Sequence, residues 1–420
     1  MITRIQARLY RCLKYIDQEL KPFQLLVGAN AAGKTSFLDV VAFLGDLVSQ
    51  GLERAVRDRA PTPQDLTWMR DKDGFELAIE VAIPDDLRTR LEVPSLSHVR
   101  YEVGIDMDVM KEGVGIAAER VWLRKNTIKQ IRQIELFPET RQHSTSILLP
   151  KGRSRVEQRL VVSKVAGGND NYMPETGKGY SPSFKQSPKR SALANLPADE
   201  ENFPVATWLK SFLTEGIQQF VLNSQLIRKA SPPGQGRTFK PDGSNLPWVI
   251  HHIVQTDAQR IEDWVQHLQT ALPDLVNIRT VEREDDRHRY LMLQYANGLE
   301  VPSWLASDGT LRLLALTLPA YLPEFGGAYL IEEPENGIHP KAAETVFESL
   351  SSVYGAQVLL ASHSPVFLSL IKPKDAGKVL CFAKTEDGSS DIVAGDRHPN
   401  LKIWQGDPNL SVLFAAGVLG

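Results

Sequence analysis

The chain has 420 residues, of which 42% are apolar and 24% charged, and a formal net charge of −3. That apolar share suffices for a sizeable core. The length corresponds to two or three domains or to one large α/β unit with an insertion, and the near-neutral balance excludes a global pull toward nucleic acid or anionic membrane, leaving only local patches for such binding. Cys12 and Cys381 are the only cysteines, too few for a disulfide framework or a thiolate metal set. Their scarcity fits a reducing cytoplasm. The N-terminus lacks the basic-then-apolar pattern of a signal peptide, and no run of about twenty apolar residues is present to span a membrane.

In chain order, residues 2–27 read as two strands around a turn, ending in the apolar run Phe23-Gln24-Leu25-Leu26-Val27. Gly28-Ala29-Asn30-Ala31-Ala32-Gly33-Lys34-Thr35 follows, with the spacing G-x-x-x-x-G-K-[ST] of a phosphate-binding loop. Apolar residues at Phe37, Val40, Val41, Leu44, Leu47 and Val48 then predict a helix reaching roughly Arg54. Strand, glycine-rich turn and helix form the context in which backbone N–H groups cradle phosphate oxygens. Lys34 can reach the β- and γ-phosphates, and the Thr35 hydroxyl can ligate Mg²⁺.

Phe75, Leu77, Ile79, Val81 and Ile83 alternate, and so do Tyr101, Val103, Ile105 and Met107. Both read as half-buried strands of an antiparallel meander packed on the nucleotide-binding core. Residues 151–200 are rich in Gly, Ser, Pro and Asn and carry Lys151, Arg153, Arg155, Arg159, Lys164, Lys178, Lys185, Lys189 and Arg190. They read as an inserted, partly mobile segment. Helical patterns resume from about Ala206, and Tyr290–Val301 reads as a hairpin turning at Asn297-Gly298. From Ser307 the pattern is helix, strand (Ala328–Glu332), helix, strand (Gln357–Ser362), helix, which predicts a parallel sheet with crossover helices. There is no internal repeat and no sustained heptad pattern.

Two strand ends in this half carry candidate chemistry, because open α/β sheets bind ligands at the carboxyl ends of their strands. Tyr329-Leu330-Ile331-Glu332-Glu333-Pro334 ends in two carboxylates that point differently, since strand side chains alternate. Glu332 is assigned to Mg²⁺ through water and Glu333 to polarising the attacking water; the plainer alternative is two solvated acids. Val358-Leu359-Leu360-Ala361-Ser362-His363-Ser364-Pro365 ends in a histidine able to hydrogen-bond a γ-phosphate or the attacking water. Ser307-Asp308-Gly309-Thr310-Leu311-Arg312 opens a helix with Ser307 as N-cap and Gly309 permitting close backbone approach. It is either a plain capped helix or a second phosphate grip serving another subunit.

These elements, in this order, resemble the ABC-type ATPase heads of the SMC, RecF and OLD (overcoming lysogenization defect) branch, and most of all the stand-alone AAA family ATPases of bacterial phage-defence systems. In the resemblance Gly28–Ser36 is Walker A, Ser307-Asp308-Gly309 the signature motif, Leu330–Pro334 Walker B and Ser362-His363-Ser364 the switch-histidine loop. Glu335-Asn336-Gly337-Ile338-His339-Pro340 is similar to the stretch after Walker B, and Asp242-Gly243-Ser244-Asn245-Leu246 to another recurring element. Residues 1–50 and 240–370 are well covered and 130–235 hardly at all. The chain departs from the pattern at Ala31, where Gly is frequent, and at Glu332, where Asp is commoner. Arg11 matches a basic residue often seen near the phosphates.

The resemblance implies an α/β, ABC-type P-loop head with a mixed or parallel sheet, crossover helices, an antiparallel meander and an inserted, partly flexible segment. The expected division is 1–130 with Walker A, 131–240 as a basic insertion or lid, and 241–420 with signature, Walker B and switch histidine. It implies an Mg²⁺-dependent ATPase whose cofactors are ATP and Mg²⁺. Asn30, Gly33, Lys34, Thr35, Ser36, Ser307 and Gly309 would bind nucleotide, Thr35 and Glu332 metal, and Glu333 and His363 would act in catalysis. Two copies would sandwich two ATP molecules, each between one copy's loop and the other's Ser307 region. The expected role is a sensor or regulatory subunit in phage defence, with a separate nuclease or toxin as effector, because about fifty residues after Pro365 leave no room for the Toprim nuclease domain of OLD proteins. The alternative is a RecF- or SMC-like DNA-repair ATPase using the basic stretch 151–190 on nucleic acid. Absent heptads exclude long coiled-coil arms. The Ser307-Asp308-Gly309-Thr310 string departs from a transporter signature, and a nucleotide-locked scaffold fits poorly with the presence of both Glu333 and His363.

Overall fold

The computed structural model describes residues 1–108, 113–126, 145–150, 157–236, 238–322, 325–402, 404, 406 and 409–417. Lys151, Arg153 and Arg155 of the basic stretch lie outside the described residues. The chain opens with three strands rather than two, β1 (Ile2–Tyr10), β2 (Leu13–Glu19) and β3 (Phe23–Gly28). The β1–β2 turn is the two residues Arg11-Cys12, tightened by positive φ at Leu9 (57°) and Arg11 (50°), a conformation that Gly, Asn or Asp usually signals. Helix α1 (Lys34–Gln50) stops short of Arg54 because Gly51 takes φ 85°; a separate turn, α2 (Leu52–Arg57), follows. A residue that adopts positive φ freely ends a helix where periodicity alone would continue it.

In order there follow β4 (Phe75–Ala82), α3 (Asp85–Arg88), β5 (His98–Asp106), β6 (Gly115–Arg124), β7 (Gln158–Val165), β8 (Asp170–Tyr172), β9 (Ser183–Phe184), α4 (Pro204–Glu215), β10 (Ile217–Phe220), α5 (Ser224–Ile227), α6 (Leu246–Thr256) and α7 (Ala258–Leu268). Then come β11 (Leu275–Glu282), β12 (Arg289–Tyr295), β13 (Glu300–Pro302), α8 (Asp308–Thr317), β14 (Ala328–Glu332), α9 (Pro340–Ser351), β15 (Gln357–Ala361), α10 (Pro365–Ser369), β16 (Val379–Lys384) and β17 (Ser390–Ala394). Two compact units emerge. The first comprises Met1–Lys21, Asn30–Ile217 and Ala383–Ile392; the second comprises Pro22–Ala29, Gln218–Phe382 and the residues from Val393 on.

The first unit is built on an eight-stranded sheet in the order β2-β1-β4-β5-β6-β7-β8-β9. The alternating apolar residues of β4 and β5 pair antiparallel, Leu77 opposite Val103 and Ile79 opposite Tyr101. Helix α1 lies on this sheet, where Tyr10 packs on Phe75 at 4.9 Å and on Phe43 at 5.8 Å between ring centroids. From Gln158 onward the basic stretch supplies β7, β8 and β9. Three of its cations are paired: buried Lys164 with Asp170 (2.9 Å), Lys189 with Glu53 (2.7 Å), and Arg159 with Glu92. Buried Glu175 receives the N–H groups of Val205 (2.6 Å) and Ala206 (2.7 Å) at the start of α4. Burial outweighs those bonds and pushes its carboxyl up to about 7.

The second unit contains the parallel strands β14, β15, β3 and β16, adjacent in that order. Their nearly continuous apolar runs are those of strands covered on both faces. The expected alternation after Ser307 is present, with α9 as the crossover from β14 to β15. A three-stranded sheet, β11-β12-β13, includes the expected hairpin, turning at Gly298 with φ 81°. Helices α6 and α7 cover β11, and Trp264 of α7 donates through Nε1 to Thr317 Oγ1 of α8 at 2.8 Å. The fold is thus α/β, a parallel sheet with crossover helices plus an antiparallel meander. Among the described residues no helix is long and apolar enough to cross a membrane.

Candidate functional site

The phosphate loop leaves β3 at Gly28. Here the backbone runs so close to β16 that a Cβ would lie 2.3 Å from the Phe382 carbonyl oxygen. In the first unit the loop continues through Ala31, at φ 62°, the left-handed conformation that glycine adopts most readily. Gly33 has φ 104° and starts α1 as its N-cap; a Cβ there would meet Ser390 Oγ at 2.1 Å and Cys12 Sγ at 3.1 Å. The N-cap carries no side-chain hydrogen bond and the first turn of α1 holds no acid. The positive end of the helix dipole is therefore not neutralised by the helix's own side chains.

Lys34 and Ser36 are buried and Thr35 is exposed. The Cys12 thiol donates to Ser36 Oγ at 3.3 Å. Arg11 forms an ion pair with Asp39 of α1 at 3.1 Å. The same carboxylate accepts from Tyr10 Oη (2.6 Å) and Arg59 Nε (2.6 Å). Burial pushes the Tyr10 phenol well above its ordinary range, and the Asp39 charge adds to that. Arg11 is thereby held to α1 within the first unit.

In the second unit, Glu332 lies in register with Ala361 of β15, and Ala361 with Leu26 of β3. β14 and β15 therefore end level with one another, and β3 beside them runs two residues further, to Gly28, where the glycine loop begins. Glu333 steps off β14 at φ 46° while its N–H still donates to Ala361 O at 2.8 Å. A non-glycine residue held in this region is the kind of backbone strain that clusters at functional sites. Glu333 Oε2 accepts from Asn336 Nδ2 at 2.6 Å, and Oε1 lies 3.4 Å from His363 Nδ1. The structure thus brings Glu333 and His363 together, both substantially exposed.

Glu335 is the residue that the sequence reading did not single out. Its Oε1 accepts from Ser362 Oγ (2.6 Å) and from the His363 backbone N–H (3.2 Å), and Ser362 Oγ in turn accepts from Ser364 N–H (2.9 Å). Glu335 Oε1 also lies 3.9 Å from His363 Nδ1. The signal was present as the first residue of Glu335-Asn336-Gly337-Ile338-His339-Pro340, but a run of three glutamates in four positions does not say which of them turns inward.

Ser307 caps α8, its Oγ accepting from Thr310 N–H at 3.1 Å. Gly309 faces the loop after β14 so closely that a Cβ would lie 3.1 Å from Gly337 O. Arg312 Nη1 donates to Asn336 O at 3.1 Å. The Asp242–Leu246 element is a scaffold: Gly243 takes φ 75°. Buried Asn245 donates to Gly236 O (3.1 Å) and Thr238 O (2.8 Å) and accepts from Lys240 N–H (2.9 Å). Among the described residues no three His, Cys, Asp or Glu side chains form a self-contained metal cluster. The candidate donors are a hydroxyl and a strand-tip carboxylate, hard oxygens that suit Mg²⁺, an ion that usually keeps waters and phosphates as its other ligands.

Residues 23–369 match the family described as "AAA domain, putative AbiEii toxin, Type IV TA system", and the chain belongs to that family. An Smc head bound to the C-terminal winged-helix domain of ScpA is similar in fold, at 14% identity and TM-score 0.53, over 93% of this chain and 97% of that one. So is an Smc head domain with an extended coiled coil, bound to the C-terminal domain of ScpA derived from Pyrococcus furiosus, at 12% identity and TM-score 0.52, over 100% and 98%. No curated protein matches the chain in sequence. The fold is that of the Smc head domains, and membership of an AAA-domain family together with the phosphate loop supports nucleotide binding and hydrolysis.

Proposed function

We propose that the protein is an Mg²⁺-dependent ATPase that dimerises around ATP and serves as the sensor or regulatory subunit of a bacterial anti-phage system with a separate effector. The observation that carries the reading is the pair of level strand ends of β14 and β15 in the second unit, where Glu333 contacts His363 beside the strand that leads into the glycine loop. Asn30, Gly33, Lys34 and Ser36 are the proposed phosphate contacts, and Thr35 and Glu332 the Mg²⁺ donors. Bound Mg²⁺ would supply charge neutralisation on the phosphate oxygens. Glu333, tethered by Asn336, can accept a proton from water, and His363 can donate a hydrogen bond toward a terminal phosphate oxygen. Ser307 and Gly309 would grip the nucleotide of a second copy. The defence context is supported by the family description, which names a toxin–antitoxin system. A cytoplasmic location follows from the same reading.

A second reading, a RecF- or SMC-like DNA-binding ATPase, is favoured by the fold likeness to Smc heads. It has fewer basic residues to draw on than the sequence offers, since Arg159, Lys164 and Lys189 are engaged in ion pairs. The deciding experiment is light scattering of Glu333→Gln with and without ATP and Mg²⁺. An amide cannot take the proton, so the ATP state should accumulate and the mass should double. A mass indifferent to ATP overturns the sandwich.

A further inference from the structure

The second unit holds a cleft of about 450 Å³ formed by α5 and the residues after it, the β11–β12 turn, and Trp304. Arg228, Lys229, Arg283 and His288 line it, with Asp286 as the one acid of the lining. Asp286 is shared between Arg283 (3.5 Å) and His288 (3.1 Å). Lys229 is exposed and has no ion-pair partner among the described residues. Trp304 remains 42% exposed although it is the kind of side chain that folding usually covers. Its ring packs on Tyr290 at 4.8 Å, and the Arg283 guanidinium lies 5.9 Å from its centroid and 6.0 Å from that of Tyr290. An open indole flanked by a planar cation is a stacking platform for a base; Arg228 and Arg283 face Asp308 and Asp286, which leaves the Lys229 ammonium as the net positive charge that favours an anion.

We propose that this cleft is a second ligand site, distinct from the phosphate loop, that takes a nucleoside phosphate: base on Trp304, phosphate on Lys229 and Arg228. Its volume suits a single nucleotide unit, either free or at an accessible position in a single strand. An acidic peptide would use the cations but not the indole, and an apolar ligand the reverse. The cleft is also wired to α8. Arg228 Nη1 donates to Ala306 O (2.6 Å) and Trp304 O (3.1 Å), Nη2 pairs with the Asp308 carboxylate, and Ser303 Oγ donates to Arg228 O (3.0 Å). A phosphate that draws on Arg228 competes with Asp308, the middle residue of Ser307-Asp308-Gly309. Occupancy therefore biases the start of α8, a consequence that rests on the signature reading above.

The test uses the full chain carrying Lys34→Ala, titrated by calorimetry with AMP and, separately, with single-stranded oligodeoxythymidylate. AMP lacks the β- and γ-phosphates that the loop would hold, so failure of the loop assignment does not mimic the result. Saturable binding is expected, weakened about tenfold by Lys229→Glu and by Trp304→Ala and largely retained by Trp304→Phe. AMP alone binding identifies a free nucleotide as the source; the oligonucleotide alone identifies a strand. No saturable binding of either probe, or binding indifferent to Lys229→Glu and Trp304→Ala, overturns the site. Lys229 is exposed, so its reversal does not endanger folding. In the unmutated protein, ATP turnover that responds to AMP and loses the response in Lys229→Glu supports the link to α8. Binding without any such response removes the link and leaves the site.

Discussion

Replacing Glu335 by alanine should uncouple the histidine loop from the strand-tip acids. The carboxylate is largely buried, its side chain 13% exposed, and one oxygen accepts both Ser362 Oγ at 2.6 Å and the His363 N–H at 3.2 Å. Hydrogen bonds to a charged group contribute about 1.5–3 kcal/mol each. Losing two while water partly refills the space puts the cost at about 2–4 kcal/mol, concentrated on residues 362–364 rather than on the whole fold. Glu335→Gln keeps an acceptor for both donors and places its amide where Oε2 has no hydrogen-bond partner among the described residues; about half of the cost should return. Hydrogen exchange followed by mass spectrometry reads this directly: the His363 and Ser364 amides should exchange faster in Glu335→Ala and at an intermediate rate in Glu335→Gln. ATP turnover should fall in the same order while nucleotide affinity changes little, because the loop positions His363 and is not itself a phosphate cradle. Native exchange at these amides with unaltered turnover in Glu335→Ala would refute the positioning role.

Three further outcomes are expected. Gly33→Ala forces an L side chain to φ 104° and against Ser390, so ATP binding should be lost and the melting temperature should fall; unchanged binding by equilibrium dialysis would remove the loop from the site. Ser307→Arg should leave the monomer folded but prevent the ATP-dependent mass doubling of Glu333→Gln, and a doubled mass would mean that α8 does not face a second copy. Glu175 has a folded-state value of about 7 against an ordinary 4.5, so its contribution is complete below the unfolded value and is lost as pH rises through the folded one, at most about 3 kcal/mol. Denaturant unfolding between pH 5 and 8 should therefore show a downward slope that Glu175→Gln flattens, and equal slopes in the two proteins would contradict a neutral buried carboxyl.

Legibility in the sequence followed how local the determining physics was. The glycine loop, the alternating strands of the meander and each element of the β14–α9–β15 crossover carry their signal in short local stretches, and all were readable. The Arg11-Cys12 turn was not, because its positive φ falls on residues with no turn propensity and is sustained by the antiparallel pairing of β1 with β2. Strand β11 was missed because its burial does not alternate: Leu275 and Ile278 are buried, Val276 and Asn277 exposed, and its last four residues half-buried. The strands β7 to β9 hide in polar sequence for a related reason. Lys164, which reads as a solvated charge, is buried against Asp170, a pairing that only the sheet register brings about. At the candidate site, Glu333 and His363 are visible in the sequence as strand-end residues, but their 3.4 Å approach depends on the register of β14 with β15, and the inward turn of Glu335 depends on the loop that follows.

That loop, Glu333–Ile338, carries more of the argument than any single motif. Within one unit it touches the histidine loop twice, through Glu333 at His363 and through Glu335 at Ser362. It touches α8 twice, through Asn336 O at Arg312 and through Gly337 O beside Gly309. Its ends are fixed by the positive φ of Glu333 and of Gly337, 46° and 79°, so it cannot slide as a flexible linker would. A rearrangement of His363 on loss of a terminal phosphate would have to be absorbed by this loop, and the start of α8 is its other neighbour. On the proposed reading, a signal from hydrolysis to α8 would need only these six residues and no change in the sheet. Arg312→Ala, which removes one of the two α8 contacts and leaves every proposed nucleotide contact in place, should preserve ATP binding while weakening the dependence of association on ATP. If association in Arg312→Ala follows ATP as in the parent chain, the signal does not pass through this loop.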